Sequence, residues 1–433
     1  MIEIPNAIGD VVRSVGLSTA MRAAGVVTGL LPIPQPVLLV GPGSSARLGA
    51  AIAGFGHRKV MIVTDRVVAG MGLIAGLTAA LDAGGVEYAV FDAITPDAPI
   101  PVIEKGIAFY GKHGCDAVVA FGGGSPMDAA KTIASAVANR KHPRKLVGYF
   151  RGLRAPVPLY AVPTTAGTGS EVTVAAVISD PDSGRKLVIA DTRLVPDMAA
   201  LDPALMTGLP APVTAATGMD ALTHAVEAFV SKWANAHTDR MALATVGIVF
   251  DTLRVAHRKP KDLEAREKMA LAATFGGLAF TRANVGYVHA IAHQLGGLYH
   301  VPHGLANAIM LPYVLRYLSP AITKRLAVLA VKAGVGAPGE RPAVLAKKFI
   351  DAVDELNRDL GIPTYVAALR EEDIPALAKA ACWEADTNYP VPRYMSPDTC
   401  AGILRAVLPP PAAARPPARK APARKPGRAT RGR

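Results

Sequence analysis

The chain has 433 residues, 51% hydrophobic and 19% charged, with a formal net charge of +13. That length supports two domains with sizeable cores, and no stretch of about twenty residues is both apolar and uncharged, which argues against a membrane span or a secretory leader. Three widely spaced cysteines, Cys115, Cys382 and Cys400, form neither a disulfide framework nor a CxxC pair, which predicts a reducing, cytoplasmic setting.

Residues 1–35 read as an N-terminal extension. Val11 to Leu31 carries Arg13 and Arg22 among small apolar residues, a pattern for a helix packed on the body or at a subunit interface, with a transit peptide as the alternative. From Pro36 strand and helix alternate. Val37–Val40 predicts a strand, followed by Gly41-Pro42-Gly43-Ser44 and a helix to about Ala53; Lys59–Thr64 predicts a strand ending at Asp65. Leu73–Ala83 predicts a helix, Val86–Phe91 a strand, Val102–His113 a helix, and Ala117–Phe121 a strand running into Gly122-Gly123-Gly124-Ser125. Pro126 then opens a helix over Met127–Ala138, and Leu159–Val162 is a further strand. Short, wholly apolar strands alternating with helices predict a mostly parallel sheet covered on both faces, so residues 36–208 are expected to form an α/β domain.

After Leu209-Pro210 the pattern changes. Helices are predicted over Ala215–Ser231, Thr238–Ala256, Leu263–Phe280, Val285–Gly296, Ala321–Ala333, Val344–Leu360 and Asp373–Ala381. This gives an all-helical domain over residues 209–408. Residues 409–433 hold eight Lys or Arg and no acid. This Pro/Ala/Lys/Arg tail has almost nothing to bury and is expected to be a disordered, solvated extension, with weak contact to polyanions as its functional alternative.

Glycines after a strand let the backbone approach a phosphate, and the following helix N-terminus adds a favourable field, so Gly123, Gly124 and Ser125 are candidate phosphate binders. The spacing is not GxGxxG, and the ordinary dinucleotide fingerprint is absent. Thr164 and Thr165, in Pro163-Thr164-Thr165-Ala166-Gly167-Thr168-Gly169-Ser170-Glu171, offer hydroxyls at another strand end. Asp65 ends a strand where a ribose would sit. It can accept from a 2′-hydroxyl and would repel a 2′-phosphate, which favours NAD over NADP. The plainer roles are a helix cap for Asp65 and polar turns for the two loops.

The window from His289 to His303 holds four of the chain's ten histidines. His289 and His293 are one helical turn apart, and Gly296, Gly297 and Pro302 can turn the chain so that His303 faces them. Ala290 stands where a metalloprotease HExxH motif has its glutamate. Asp220 and His224 share a face of an apolar helix, where a buried carboxylate needs a partner. Asp220, His224, His289 and His303 together offer one oxygen and three nitrogens, enough for iron(II) or zinc with positions left for substrate.

FGGGSPMDAAK (121–131), AVPTTAGTGSEVT (161–173), ATGMDALTHAVEA (216–228) and HAIAHQLGGLYHVPHG (289–304) resemble the signature segments of the iron-containing, group III alcohol dehydrogenases, in the branch with lactaldehyde reductase and the butanol and methanol dehydrogenases. The resemblance covers roughly residues 35–408. It implies a dehydroquinate synthase-like architecture, with an N-terminal dinucleotide-binding domain, an all-helical second domain and the site in the cleft between them. By resemblance, Asp220, His224, His289 and His303 fall on the metal-ligand positions. His293 falls on an additional active-site histidine near the nicotinamide, suited to proton relay. Asp65, Gly123, Gly124, Ser125, Thr164, Thr165 and Lys186 (in GRKLVIAD) fall on NAD-contacting positions. The implied reaction is interconversion of a primary alcohol and an aldehyde by a homodimer or larger assembly. Where the family often has Asn-Pro-Arg near the C-terminus, this chain reads Thr387-Asn388-Tyr389-Pro390-Val391-Pro392-Arg393.

Two alternatives of other classes stand beside this reading. One is an NAD- and zinc-using lyase like dehydroquinate synthase, whose Glu–His–His metal set differs from Asp220-x3-His224. The other is a polyanion-binding protein acting through its tail. A metal-independent relative such as maleylacetate reductase fits poorly with a complete ligand set. No motif reads out the alcohol, and the ligand set accepts iron or zinc alike.

Overall fold

Strands such as Val60-Met61-Ile62-Val63 and Ala117-Val118-Val119-Ala120-Phe121 carry apolar side chains toward both faces, so each must be covered twice. The structure, a computed structural model describing residues 31–410, does this with a six-stranded parallel sheet in the order β1-β9-β6-β4-β2-β3. The strands are β1 (Val37–Val40), β2 (Lys59–Val63), β3 (Glu87–Phe91), β4 (Ala117–Gly122), β6 (Leu159–Pro163) and β9 (Met198–Leu201). One face packs Met61, Val63, Val118 and Ala120 under α4 (Ile100–His113) and α5 (Gly124–Asn139). The other packs Val60, Ile62, Val119 and Phe121 under α1 (Ser44–Gly54) and α3 (Ala75–Ala83), with the short α2 (Arg66–Gly70) between β2 and α3. A second, three-stranded sheet joins β5 (Gly148–Tyr149), β8 (Arg185–Ala190) and β7 (Ala175–Asp180).

From Ala211 onward the described chain is helical: α6 (Ala211–Val230), α7 (Ala236–Arg258), α8 (Leu263–Ala283), α9 (Tyr287–Tyr299), α10 (His303–Lys332), α11 (Pro342–Asp359), α12 (Ile374–Asn388) and α13 (Pro397–Arg405). They share one core around Leu222, Phe229, Val246, Ile291, Leu311 and Phe349. The predicted α/β-then-helical order is therefore observed, with differences in detail. The strands β7 to β9 were not expected. β9 has only four residues, Met-Ala-Ala-Leu, all buried, too short to show a period, and its place beside β1 and β6 comes from pairing. Helix α10 was expected only from Ala321, yet it begins at His303 and contains Pro312 and Pro320. Burial of Asn307, Ile309, Met310, Leu311 and Pro312 keeps it helical, with the kink falling at Ile322. The cap from Ser396 Oγ to Thr399 N–H starts α13, which was not expected. Most of the N-terminal extension and of the basic tail lies outside the described residues.

The loop after β6 joins the sheet to the helices. Gly169 has φ +60°, and a methyl added there would lie 2.6 Å from Ala273 O and 2.7 Å from Gly277 Cα in α8. Gly169→Ala therefore combines a left-handed backbone with a backbone clash. It should lower stability by about 1–3 kcal/mol, read as a reduced Tm in thermal unfolding. Gly184→Ala, with φ +65° and open space around it, should cost visibly less.

Candidate metal centre and nucleotide site

Helix α6 is buried on almost every side over its second half, so the turn spacing of Asp220 and His224 places both in an interior. The break at His300 (φ 55°) ends α9 and lets α10 begin at His303, which returns that side chain to the same place. Donor atoms of Asp220, His224, His289 and His303 all lie within 4.8 Å of one another. Asp220 Oδ1 is 3.9 Å from His289 Nε2 and 3.6 Å from His303 Nε2. The His224 ring stacks between Phe280 (centroids 4.2 Å apart) and His289 (4.6 Å).

Burial, reinforced by His224 and His293, holds the His289 imidazole well below its ordinary pKa; burial does the same to His303 against the pull of Asp220. Both rings are thereby kept neutral, the form that ligates. The residues fit a cation on their own chemistry. A buried carboxylate faces neutral imidazoles, and His224 Nδ1 is buried without a hydrogen-bond partner among the described residues. Zinc–ligand bonds of about 2.0–2.2 Å are within reach of donors so grouped.

Two side chains that the sequence reading did not single out hold this set. Glu227, on α6 one turn past His224, accepts from His289 Nδ1 at 2.6 Å, Gly286 N at 2.8 Å and Val288 N at 2.7 Å. Burial pushes its carboxyl up to about 7 despite those donors. It fixes His289 with Nε2 toward Asp220, the usual arrangement behind a ligating histidine. Asn307, one turn past His303 on α10, donates Nδ2 to Asp220 Oδ1 at 2.7 Å. The i+3 and i+4 spacings were the available signals; the partners were not visible.

His293 lies beside the cluster rather than in it. Its ring stacks on His303 (5.4 Å, 16°) and meets His289 edge-on at 6.1 Å. Its Nδ1 bonds Glu384 Oε1 at 2.6 Å.

The carboxyl ends of the neighbouring strands β2, β4 and β6 carry Asp65, Gly123–Ser125 and Thr164–Thr165. The two loops touch: methyls added at Gly123 and Gly124 would lie 3.4 Å from Thr165 Oγ1 and 2.9 Å from Thr168 Cγ2. Beneath them Asp128 accepts from Ser170 Oγ at 3.0 Å and Val177 N at 3.1 Å. Lys131, fully buried, donates to Thr173 O, Thr173 Oγ1 and Ala175 O within 2.9 Å. Burial lowers its pKa to about 8, against the attraction of Asp128 and Glu171, and Glu171 in turn takes a 2.7 Å bond from Thr274 on α8. Asp128 thus orients the second loop and does not cap its own helix. Asp65 Oδ1 caps α2, accepting from Val67 N at 2.8 Å and Val68 N at 2.9 Å. Lys186, on β8, pairs with Asp97 at 2.8 Å, and Asp97 N donates to Ser125 Oγ at 3.0 Å. A methyl at Gly296 would sit 3.4 Å from Lys186 Nζ, so this lysine reaches from the glycine loop to α9 and the histidines.

A model of the iron-containing alcohol dehydrogenases matches residues 35–203, and one of the C-terminal part of the Fe-containing alcohol dehydrogenase family matches residues 214–408. The chain belongs to the iron-containing alcohol dehydrogenase family. It is 38% identical over 345 residues to lactaldehyde reductase of Escherichia coli strain K12, covering 79% of this chain and 90% of that one. It is 36% identical over 375 residues to the NAD-dependent methanol dehydrogenase of Bacillus methanolicus, covering 86% and 98%. Among solved structures, a 1,3-propanediol oxidoreductase superimposes with a TM-score of 0.85 at 37% identity, covering 88% of this chain and 100% of that one. The protein is an oxidoreductase of alcohols and aldehydes, and neither the lyase alternative nor a purely polyanion-binding role is favoured.

Because Glu227 holds His289 from behind, Glu227→Gln should weaken divalent-metal binding by about 10- to 100-fold. Competition against a chromophoric chelator measures this without recourse to turnover.

Proposed function

We propose that the chain is an NAD-dependent, metal-containing dehydrogenase that interconverts a primary alcohol and an aldehyde. The convergence of Asp220, His224, His289 and His303, from three separate helices, within 4.8 Å carries the reading. These four residues would hold iron(II) or zinc. When bound, the cation supplies a Lewis acid for the substrate oxygen and the nicotinamide supplies or takes the hydride.

The chain's own side chains do the rest. Gly123, Gly124 and Ser125 open α5 and direct backbone N–H groups toward a pyrophosphate. Thr164 and Thr165 offer hydroxyls beside it, and Lys186 brings a cation between the phosphates and α9. Asp65 has one oxygen engaged in its helix cap, leaving the other for a ribose hydroxyl, which supports NAD over NADP. His293, next to His303 and outside the ligand set, takes the hydroxyl proton as the alcohol is oxidised and returns one as the aldehyde is reduced. With the cofactor bound, the nicotinamide would account for the hydride and His293 for the proton of each turnover.

A cytoplasmic, homo-oligomeric enzyme, dimeric or larger, belongs to the same proposal. Three buried free cysteines support the reducing compartment, and no described helix is long and apolar enough to cross a membrane; the assembly is carried over from the family resemblance alone. A two-domain division at residues 36–208 and 209–408 also belongs to the proposal, supported by the end of β9 at Leu201 and the start of α6 at Ala211.

Metal analysis of the purified protein, with NADH oxidation against a straight-chain aldehyde series, tests the reading. His289→Ala should lose bound metal and more than about a hundredfold in turnover, since Lewis-acid stabilisation amounts to several kcal/mol at 1.4 kcal/mol per tenfold. Full metal content and full activity in that variant would overturn the assignment. In a parallel assay Asp65→Gly should narrow the preference for NAD over NADP, visible as a fall in the ratio of the two kcat/KM values.

A further inference from the structure

Behind His293 lies a polar group that the metal site does not use. Glu384, near the end of α12, is four-fifths buried at its side chain and receives three donors. Its Oε1 takes His293 Nδ1 at 2.6 Å and Tyr389 Oη at 2.6 Å, and its Oε2 takes Gln294 Nε2 at 2.7 Å. Tyr389, itself buried, comes from the segment where the chain departs from the family's Asn-Pro-Arg element. Among the described residues no hydrogen bond reaches His293 Nε2; the ring is hydrogen-bonded through Nδ1 and packed against His303 and His289.

A carboxylate accepts and does not donate, so the nitrogen it faces must carry the proton. With Nδ1 protonated toward Glu384, the lone pair of a neutral ring lies on Nε2, the nitrogen away from α12. Tyr389, on the same oxygen, and Gln294, on the other, keep the carboxylate from turning aside. We propose that Glu384, steadied by Tyr389 and Gln294, is a positioning residue that fixes the tautomer and orientation of His293 for proton exchange with the substrate hydroxyl. The inference rests on the reading of His293 as the proton relay. As the alcohol is oxidised, its hydroxyl proton passes to Nε2 and its hydride to the nicotinamide. The resulting imidazolium is neutralised by the carboxylate 2.6 Å from Nδ1. In the reverse direction Nε2 returns the proton to the oxygen of the reduced aldehyde.

The test uses the full chain loaded with metal, assayed with NADH and the best aldehyde of a C2–C6 straight-chain series. The variants are Glu384→Gln, Glu384→Ala, Tyr389→Phe and His293→Ala. With general acid–base help of about 10²–10⁴ at stake, kcat should fall about tenfold in Glu384→Gln and about a hundredfold in Glu384→Ala. KM and metal content should be unchanged. The downfield proton NMR resonance of the His293 imidazole N–H should vanish in Glu384→Ala as it does in His293→Ala, and shift in Tyr389→Phe. Unchanged kcat in both Glu384 variants, with His293→Ala impaired, would overturn the proposal and leave Glu384 as packing between α9 and α12. Full kcat in His293→Ala would instead remove the relay reading, and the proposal with it. Should Glu384→Ala fail to fold, Tyr389→Phe decides: an unmoved resonance and unaltered kcat overturn the proposal.

Discussion

An ionised carboxylate buried in the middle of a helical core is unstable unless something positive meets it. Asp220 is in that position: it is 2% exposed, and its neighbours are imidazoles and one amide. The helices around it make sense as a means of bringing His224, His289 and His303 to that carboxylate. The fourth turn of an apolar helix, a broken helix between His289 and His303, and a glutamate behind the middle histidine all serve that end. Replace Asp220 by an apolar residue and the gathering of three imidazoles around that point loses its reason.

The candidate nucleotide loops are built on a different constraint, their close approach at the carboxyl ends of adjacent strands. Their geometry is held from beneath by buried charges. Lys131 gives all its hydrogen bonds to the second loop and the start of β7, while Asp128 and Glu171 anchor the same loop to β7 and α8. A buried trio of this kind adds little net stability, but breaking one member leaves the others uncompensated. It therefore specifies one loop arrangement, and through Thr274 ties that arrangement to α8. Lys186 completes the tie from above, between Ser125's loop and α9.

His293 stands beside the histidine set. It stacks on one member of the histidine set, is held by Glu384 from α12, and stays outside the cluster of donor atoms. Its neighbour one turn earlier on α9, His289, is held in the same manner by Glu227 from α6. Two histidines on one helix are thus gripped by two carboxylates from opposite sides, one turned into the set and one beside it. The helix supplies the spacing, and the carboxylates supply the difference in role.

Much of this was legible in the sequence. Wholly apolar strands separated by helices determined a parallel sheet buried on both faces. Four histidines in one short window, with an aspartate and histidine one turn apart on an apolar helix, marked out a candidate ligand set, because those signals are local and periodic. What the sequence could not supply were contacts between distant residues. β9 is too short to show a period and exists because β1 and β6 flank it. Helix α10 runs through two prolines because its buried side chains outweigh the missing hydrogen bonds. Glu227, Asn307 and Glu384 are ordinary polar residues along the chain, and only packing brings Glu227 and Glu384 to a histidine ring about sixty and ninety residues away. Local chemistry wrote the candidate ligand types, whereas which atom of each faces its neighbours was decided by the tertiary fold, since orientation depends on partners that no spacing along the chain records.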